Sequence, residues 1–471
     1  MSGISGGGVS NLGIDAAGKI VIVDKDGNIT AGTLTEEDIA DAIINGGGTT
    51  SKESLGLLID YDGRSFDRVY GAANLVAGSD FNKFAMYGGR MRCNVSDDGA
   101  ITAFYGDSGY TEDGSNGQVM IYQPKFYYQR IIVGEVADAQ GRVVSKEQLL
   151  LSASSRVGFK LHPLFVNNGE ELDYVLLPAY EGNIYDTSAS AYILDNSSNI
   201  DINTDKLSSI AGTKPFVGSG MGLSFDNLRQ LAANRGEGWQ LSDIRSESAL
   251  QMLFMIEFGS LNGQYNIGKG VVNVSGIGEM ITGSTASLGN GTGRASSTTF
   301  INQNTTTQQT AEDKTAISYR GMENPWGDYW RAIDKIVIKG EGKSYGGIPY
   351  YNGTDSLDFC LPNMSYGWIS NMGIGSADYD WVYMPIKCDN KGNSALPVGD
   401  STWTTSSMNG TKMVFVGGGT TANESAGLFD YSCDGNLSAS LGKVNGRIMF
   451  IPTKNTIYTT NINKWKQHYG G

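Results

Sequence analysis

Tyr319-Arg320-Gly321-Met322-Glu323-Asn324-Pro325-Trp326-Gly327-Asp328-Tyr329-Trp330-Arg331 is the stretch on which the fold turns. It opens a run of short, aromatic-rich segments, broken by Gly and Asn, that continues to Ile451-Pro452. Immediately before it, residues 283–315 are Gly, Ser, Thr, Asn and Gln with few apolar groups, which reads as a long loop or insertion.

Further upstream lie the clearest helix signals. Ser224 is a credible N-cap for a stripe of Leu228, Leu231 and Ala232 that ends at Gly236. After Gly238-Trp239-Gln240-Leu241, Ser242 or Asp243 starts a second helix whose Ala249, Leu250, Leu253, Met255 and Ile256 are core candidates, and Gly259 stops it. Residues Gln118 to Val133 alternate apolar and polar with many aromatics, a strand pattern, and a second strand pair is expected at Val157–Leu161 and Tyr174–Tyr180.

Residues 51–117 read as a small β-rich spacer, with strands at Leu55–Tyr61, Arg68–Tyr70 and Met91–Val95. Residues 1–50 form a separate module: Lys19–Val23, an Asp-Gly turn at Asp24–Asn28 and Ile29-Thr30 make a hairpin, followed by a short helix at Ile39–Ile44 and a Gly/Ser/Thr linker. The turn is a poor calcium loop, because its glycine falls one place early and Thr35 stands where a bidentate Glu belongs. Residues 453–471 follow the last strand as an extension.

Composition limits the chemistry. The chain has 471 residues, 65 of them Gly, and a formal net charge of −14, so several domains rich in turns are expected and a phosphate-tracking basic surface is not. Nucleic acid is therefore not an expected partner. No apolar run reaches membrane-spanning length, the N-terminus is neither basic nor apolar, and a protein folded in a cytoplasm without membrane insertion is expected. The four cysteines (Cys93, Cys360, Cys388, Cys433) are widely spaced and only His162 and His468 accompany them, so no metal site or cofactor is expected. A Ser-His-Asp or Cys-His arrangement would have to use His162, which sits between Leu161 and Pro163 without a nucleophile-elbow sequence. Gly417-Gly418-Gly419-Thr420-Thr421 lacks the Lys-Ser/Thr pair of a phosphate loop. Asp378 and Asp380 could serve glycoside hydrolysis, but spacing alone cannot supply the required separation. No catalytic residue is expected; the protein reads as a binder, not an enzyme.

What rises above background is residues 345–440, where Tyr350, Tyr366, Trp368, Tyr379, Trp381, Trp403 and Tyr431 are interleaved with Asn, Ser, Gly and Asp. Rigid amphipathic rings with small polar neighbours are the chemistry of a recognition surface, and sugars suit it.

Several collinear blocks carry a family resemblance. Gly117–Tyr128, His162-Pro163-Leu164-Phe165, Leu177–Gly182, Asn234–Trp239, Ile256–Gly259 and above all Tyr319–Arg331 resemble phage structural proteins with C-type-lectin-like domains. Gly327-Asp328-Tyr329-Trp330, Gly417-Gly418-Gly419-Thr420 and Asn445–Phe450 resemble the motifs of the formylglycine-generating-enzyme branch of that fold, without its cysteine pattern. The Glu-Pro-Asn triplet of calcium-dependent lectins is absent; Glu323-Asn324-Pro325 stands there. The remaining branch to which the chain is similar is the major tropism determinant family and other variable proteins of diversity-generating retroelements. That resemblance implies an α+β fold, with a C-type-lectin-like domain at 118–452 preceded by small β-rich modules, and a homotrimer on the virion. Residues 1–50 would bind other virion proteins, and Trp403–Asn409 with Gly417–Ser440 would face a host surface glycan or protein. Combined with the aromatic composition, it nominates Tyr379, Asp380, Trp381, Trp403, Ser406, Asn409, Asn423, Asp430, Tyr431 and Asp434 as ligand-binding residues. The rival expectation is a capsid decoration or structural fibre protein.

Overall fold

Helix α2 (Ile244–Phe258) organises the molecule, and its limits follow from local chemistry. The Asp243 carboxylate accepts the backbone N–H groups of Arg245 and Ser246, and Gly259 ends the helix in the left-handed conformation at φ 57°. Every residue from Ile244 to Glu257 is buried, the pattern of a helix surrounded by protein on all sides. Helix α1 (Phe225–Ala233) is capped by Ser224 and Asn227, each side chain engaging the other residue's backbone, and buries Phe225, Leu228, Leu231 and Ala232. The computed structural model describes residues 11–14, 20–23, 29–31, 54–194, 199–216, 223–277, 279–302, 305–341, 346–362, 366–389, 398–404, 408–436 and 444–453.

Three large sheets surround these helices. One runs in the order Lys160–Leu161, Tyr127–Asp138, Gly141–Ser152, Leu55–Asp60, Ser65–Tyr70. A second runs Trp239–Leu241, Ile448–Phe450, Tyr174–Pro178, Gln118–Pro124, Met91–Val95, Ile101–Phe104. The third has Trp330–Glu341 near its middle, flanked on one side by Ile348–Tyr351 and Asp355–Ser356. On the other side come Asn409–Val416, Tyr431–Asn436, Ser401–Trp403, Gly367–Met372 and Pro385–Asp389. One apolar cluster joins α2 to the first and third sheets through Leu57, Leu149, Leu253, Ile333 and Val414. Burying each such side chain contributes about 1.5–3 kcal/mol.

The expected α+β class is overturned. Strands make up 41% and helices 13%, so the protein is predominantly β, and a C-type-lectin-like domain is not what the architecture establishes. The physical reason is that, among the described residues, only α1 and α2 sustain apolar spacing over more than about one turn; the Gly-, Asn- and Thr-rich remainder forms strands and turns. Even 283–315, read as loop, contributes the hairpin Thr298–Asn302 with Thr305–Gln309, and its Ala295 and Phe300 join Val271 and Met280 in a small core.

Other expectations fare unevenly. The hairpin near the N-terminus is present as Ile20–Val23 paired with Ile29–Ala31, and Asn11–Ile14 adds a third strand; its turn, the 39–44 helix, the linker and the extension from 454 lie outside the described residues. The segments at 157–161 and 174–180 do not pair with each other: Lys160–Leu161 joins the first sheet and Tyr174–Pro178 the second. Strand pairing also crosses the 117/118 boundary, since Leu55–Asp60 pairs with Gly141–Ser152 and Met91–Val95 with Gln118–Pro124.

Docking of the small sheet Ala191–Tyr192, Gly182–Asp186, Lys206–Ser209 onto Val444–Asn445 depends on one glycine. Gly182 and Asn445 exchange hydrogen bonds, main chain to amide, at 2.8 Å in both directions. A Cβ on Gly182 would lie 1.8 Å from the Gly446 carbonyl oxygen, which is backbone and cannot swing away. Gly182→Ala is therefore expected to destabilise by about 1–3 kcal/mol or more in urea unfolding. Gly109→Ala, whose nearest neighbours are 4.0 Å away, is the matched control and should change stability by less than about 0.5 kcal/mol.

Candidate ligand-binding cleft

Strand alternation sorts side chains above and below the third sheet. Ser401–Trp403 runs parallel to the start of Tyr431–Asn436, with Thr402 opposite Tyr431 and Trp403 opposite Ser432. Thr402, Tyr431 and Cys433 point into the core and are fully buried, whereas Trp403 faces out at 41% exposure. In Trp330–Glu341, which lies beyond Asn409–Val416, Arg331 turns inward, where its two terminal nitrogens grip Glu247 of α2 at 2.8 and 3.0 Å. Trp330 is thereby left on the outer side.

Residues 417–426 form the rim. The backbone turns through Gly417 and Gly418 at φ 97° and 75°. At Gly418 a side chain would strike Ala426 Cβ and Asp430 Oδ2 at 2.8 Å. Main-chain hydrogen bonds hold the loop from several directions: Gly417 N–H to Asp430 O, Gly327 N–H to Gly417 O, Val274 N–H to Thr420 O and Asn423 N–H to Val272 O. The Gln264 amide donates to the carbonyls of Asn423 and Ala426, both at 2.7 Å. So many anchors make this a preorganised wall.

Two clefts adjoin here. The first, about 430 Å³, is lined by Trp330, Tyr366, Trp403, the Gly419–Ala422 backbone and side chains, Ser425 and Ser432. The second, about 480 Å³, carries Lys269, Asp313, Trp368, Asn423 and Glu424. Tyr366, Ala422 and Ser425 belong to both, so Tyr366 stands as the ridge between them. Its ring lies 5.2 Å from that of Trp403 and 6.0 Å from that of Trp368, tilted at 60° and 77°. Such edge-to-face contacts hold a partly exposed aromatic row in place. Burial raises the Tyr366 hydroxyl above the usual tyrosine range.

The nominated residues divide. Trp403 lines the first cleft and Asn423 the second. Tyr431 lies in the core, where its hydroxyl donates to the Tyr383 carbonyl at 2.7 Å and accepts from Gln251 at 2.9 Å. Asp430 is buried as well, and its carboxyl accepts from Ser401. Tyr379, Asp380 and Trp381 line neither cleft: Tyr379 donates to Asp355, Asp380 accepts from Tyr128 and Lys160, and Trp381 is core. Asn409 is exposed but lies six residues, about 20 Å, along its strand from Phe415, the cross-strand partner of the cleft residue Ser432. Ser406 and the side chain of Asp434 lie outside the described residues. Trp330 and Tyr366, which complete the cleft, were not nominated.

Of the other chemical candidates, His162 is buried, and burial, with the nearby Arg245 charge, pushes its imidazole down to about 3. Leu164 N–H donates to Nδ1, which leaves Nε2 as the donor toward Ser248 Oγ at 3.2 Å. Ser248 Oγ in turn donates to the Trp381 carbonyl, so the imidazole does not act as a base toward this serine. Cys93 and Cys433 are buried, and among the described residues no three His, Cys, Asp or Glu side chains converge as metal ligands.

No family model matches the chain, and no curated protein matches it. Among solved structures, it is similar to the Major Tropism Determinant U1 variant at 12% identity, over 95% of this chain and 96% of that one, with a TM-score of 0.27. The M1 variant gives 13% identity, 95% and 97% coverage and a TM-score of 0.27. At that TM-score the likeness carries no argument about architecture or activity.

Proposed function

We propose that the chain is a phage virion surface protein that binds a host-cell surface receptor or glycan non-covalently. The observation that supports this best is the partly exposed Tyr366–Trp403 pair at the mouth of a cleft built on a hydrogen-bonded sheet and rim. Large rings held rigid beside small polar groups supply binding area at low entropic cost. The collinear sequence blocks from Gly117 to Phe450 favour the phage setting. On this reading residues 1–50 attach the chain to the particle, several copies (a trimer, by the family resemblance) add avidity, and no chemical step takes place.

Trp403→Ala and Tyr366→Ala should each weaken adsorption of the purified protein to host cells by about tenfold or more, with unfolding midpoints close to the parent's. Adsorption unchanged in both variants would sink the assignment of the cleft. Purified protein that coats empty particles but not cells would favour a decoration role instead.

A further inference from the structure

We infer that the cleft takes a saccharide at least two units long, with an uncharged unit in the first cleft and the next across the Tyr366 ridge; this rests on the receptor-binding reading above. The first cleft has no ionised side chain in its lining. A charged ligand group placed there would lose hydration without finding a counter-charge. What the lining offers instead is ring faces and free hydrogen-bonding groups. The indole N–H groups of Trp330 and Trp403 and the hydroxyls of Thr420 and Thr421 make no hydrogen bond to another described residue, while the carbonyls of Gly419, Thr420 and Thr421 already accept from Ala422, Val274 and Asn423. A pyranose ring matches that pattern, its C–H face against an indole and its hydroxyls toward these groups.

The second cleft differs in carrying charged side chains. Lys269 has no ion-pair partner among the described residues, and Glu424 is exposed; Asp313 accepts from Asn273 at 2.8 Å. One cation and two carboxylates around Trp368 can take the hydroxyls of a following unit as both donors and acceptors. Each void lies in the range of small-ligand sites, and the shared Tyr366 wall makes them consecutive.

The test uses the full chain on plates coated with neutral or acidic bacterial polysaccharides, and on intact host cells. At least one neutral polysaccharide should bind, about tenfold more weakly to Trp403→Ala, with much of the binding restored in Trp403→Phe and little change at high salt. Periodate oxidation of the cells should abolish adsorption and protease treatment should not. Adsorption that needs Trp403 yet resists periodate and yields to protease would overturn the saccharide while leaving the receptor-binding reading standing. Binding only to acidic polysaccharides, lost at high salt, would overturn the uncharged unit. Adsorption indifferent to Trp403 would remove the receptor-binding reading itself.

Discussion

Glu257→Ala is expected to cost the fold about 3–5 kcal/mol, measured as the free energy of urea unfolding. Glu257 is fully buried at the C-terminal end of α2, and Arg320 of the Tyr319–Arg331 block meets it with two nitrogens at 2.6 and 2.7 Å. The Tyr319 hydroxyl donates to the same carboxylate at 3.0 Å, and the Gly78 N–H does so at 2.9 Å. The remaining guanidinium hydrogens go to Asn82 and to the carbonyls of Tyr87 and Gly78. One ion pair thus ties the aromatic block, the central helix and the 78–87 segment together. Removing the carboxylate strands a buried cation, and that desolvated charge rather than the lost attraction sets the size of the effect. It follows that Glu257→Ala with Arg320→Met should recover a good part of the loss. A single-variant cost below about 1 kcal/mol would show that this pair is not what joins the three segments.

The same block shows how far residue patterns reach. The limits of α2 were legible because both signals are local: an Asp at the N-cap and a glycine that adopts positive φ at the end. The sheets were not, since Leu55–Asp60 finds its partner in Gly141–Ser152 across some ninety residues, and no local pattern encodes that choice. The α+β expectation gave two strong helices too much weight against many short, weakly patterned strands. Of the nominated residues, Trp403 lines the first cleft, whereas Tyr431 lies in the core, and its parity was visible in the sequence: Tyr431 and Cys433 share the buried face and Ser432 the opposite one. Trp330 was overlooked for the opposite reason. It lies in a block so dense in rings that its outward direction depends on Arg331 turning in to Glu247, a tertiary fact.

The pH dependence of stability should be inverted relative to a protein stabilised by surface carboxylates, and Asp328→Asn should remove part of it. Burial, together with the neighbouring Glu181 and Glu323 carboxylates, raises Asp328 well above the ordinary carboxylate range. Among the described residues neither of its oxygens has a hydrogen-bond donor, nor has Glu181 Oε2, while Arg447 reaches Glu181 Oε1 at 3.2 Å. Of the two, Asp328, the member without a cation, is the one whose protonated form the surroundings favour more. Asp400 and Asp430 beneath the cleft rim are likewise raised by burial, Asp430 further by Asp400. A carboxyl whose folded pKa exceeds its unfolded one takes up a proton on folding. Its contribution is complete below the ordinary Asp value of 3.8 and is lost as pH rises toward the folded pKa. Surface groups such as Asp60 and Asp113 are lowered by hydrogen bonds and act with the opposite sign, but only as pH falls below that ordinary value. His162, pushed down to about 3, acts with the opposite sign below the ordinary imidazole value of 6.5, so thermal unfolding should show higher stability at pH 6.5 than at pH 8. An asparagine at position 328 mimics the protonated acid and gives Glu181 Oε2 a permanent donor, so Asp328→Asn should raise the melting temperature at pH 8 and flatten the slope between the two. A variant destabilised equally at both pH values would show that the carboxyl pair holds no proton there.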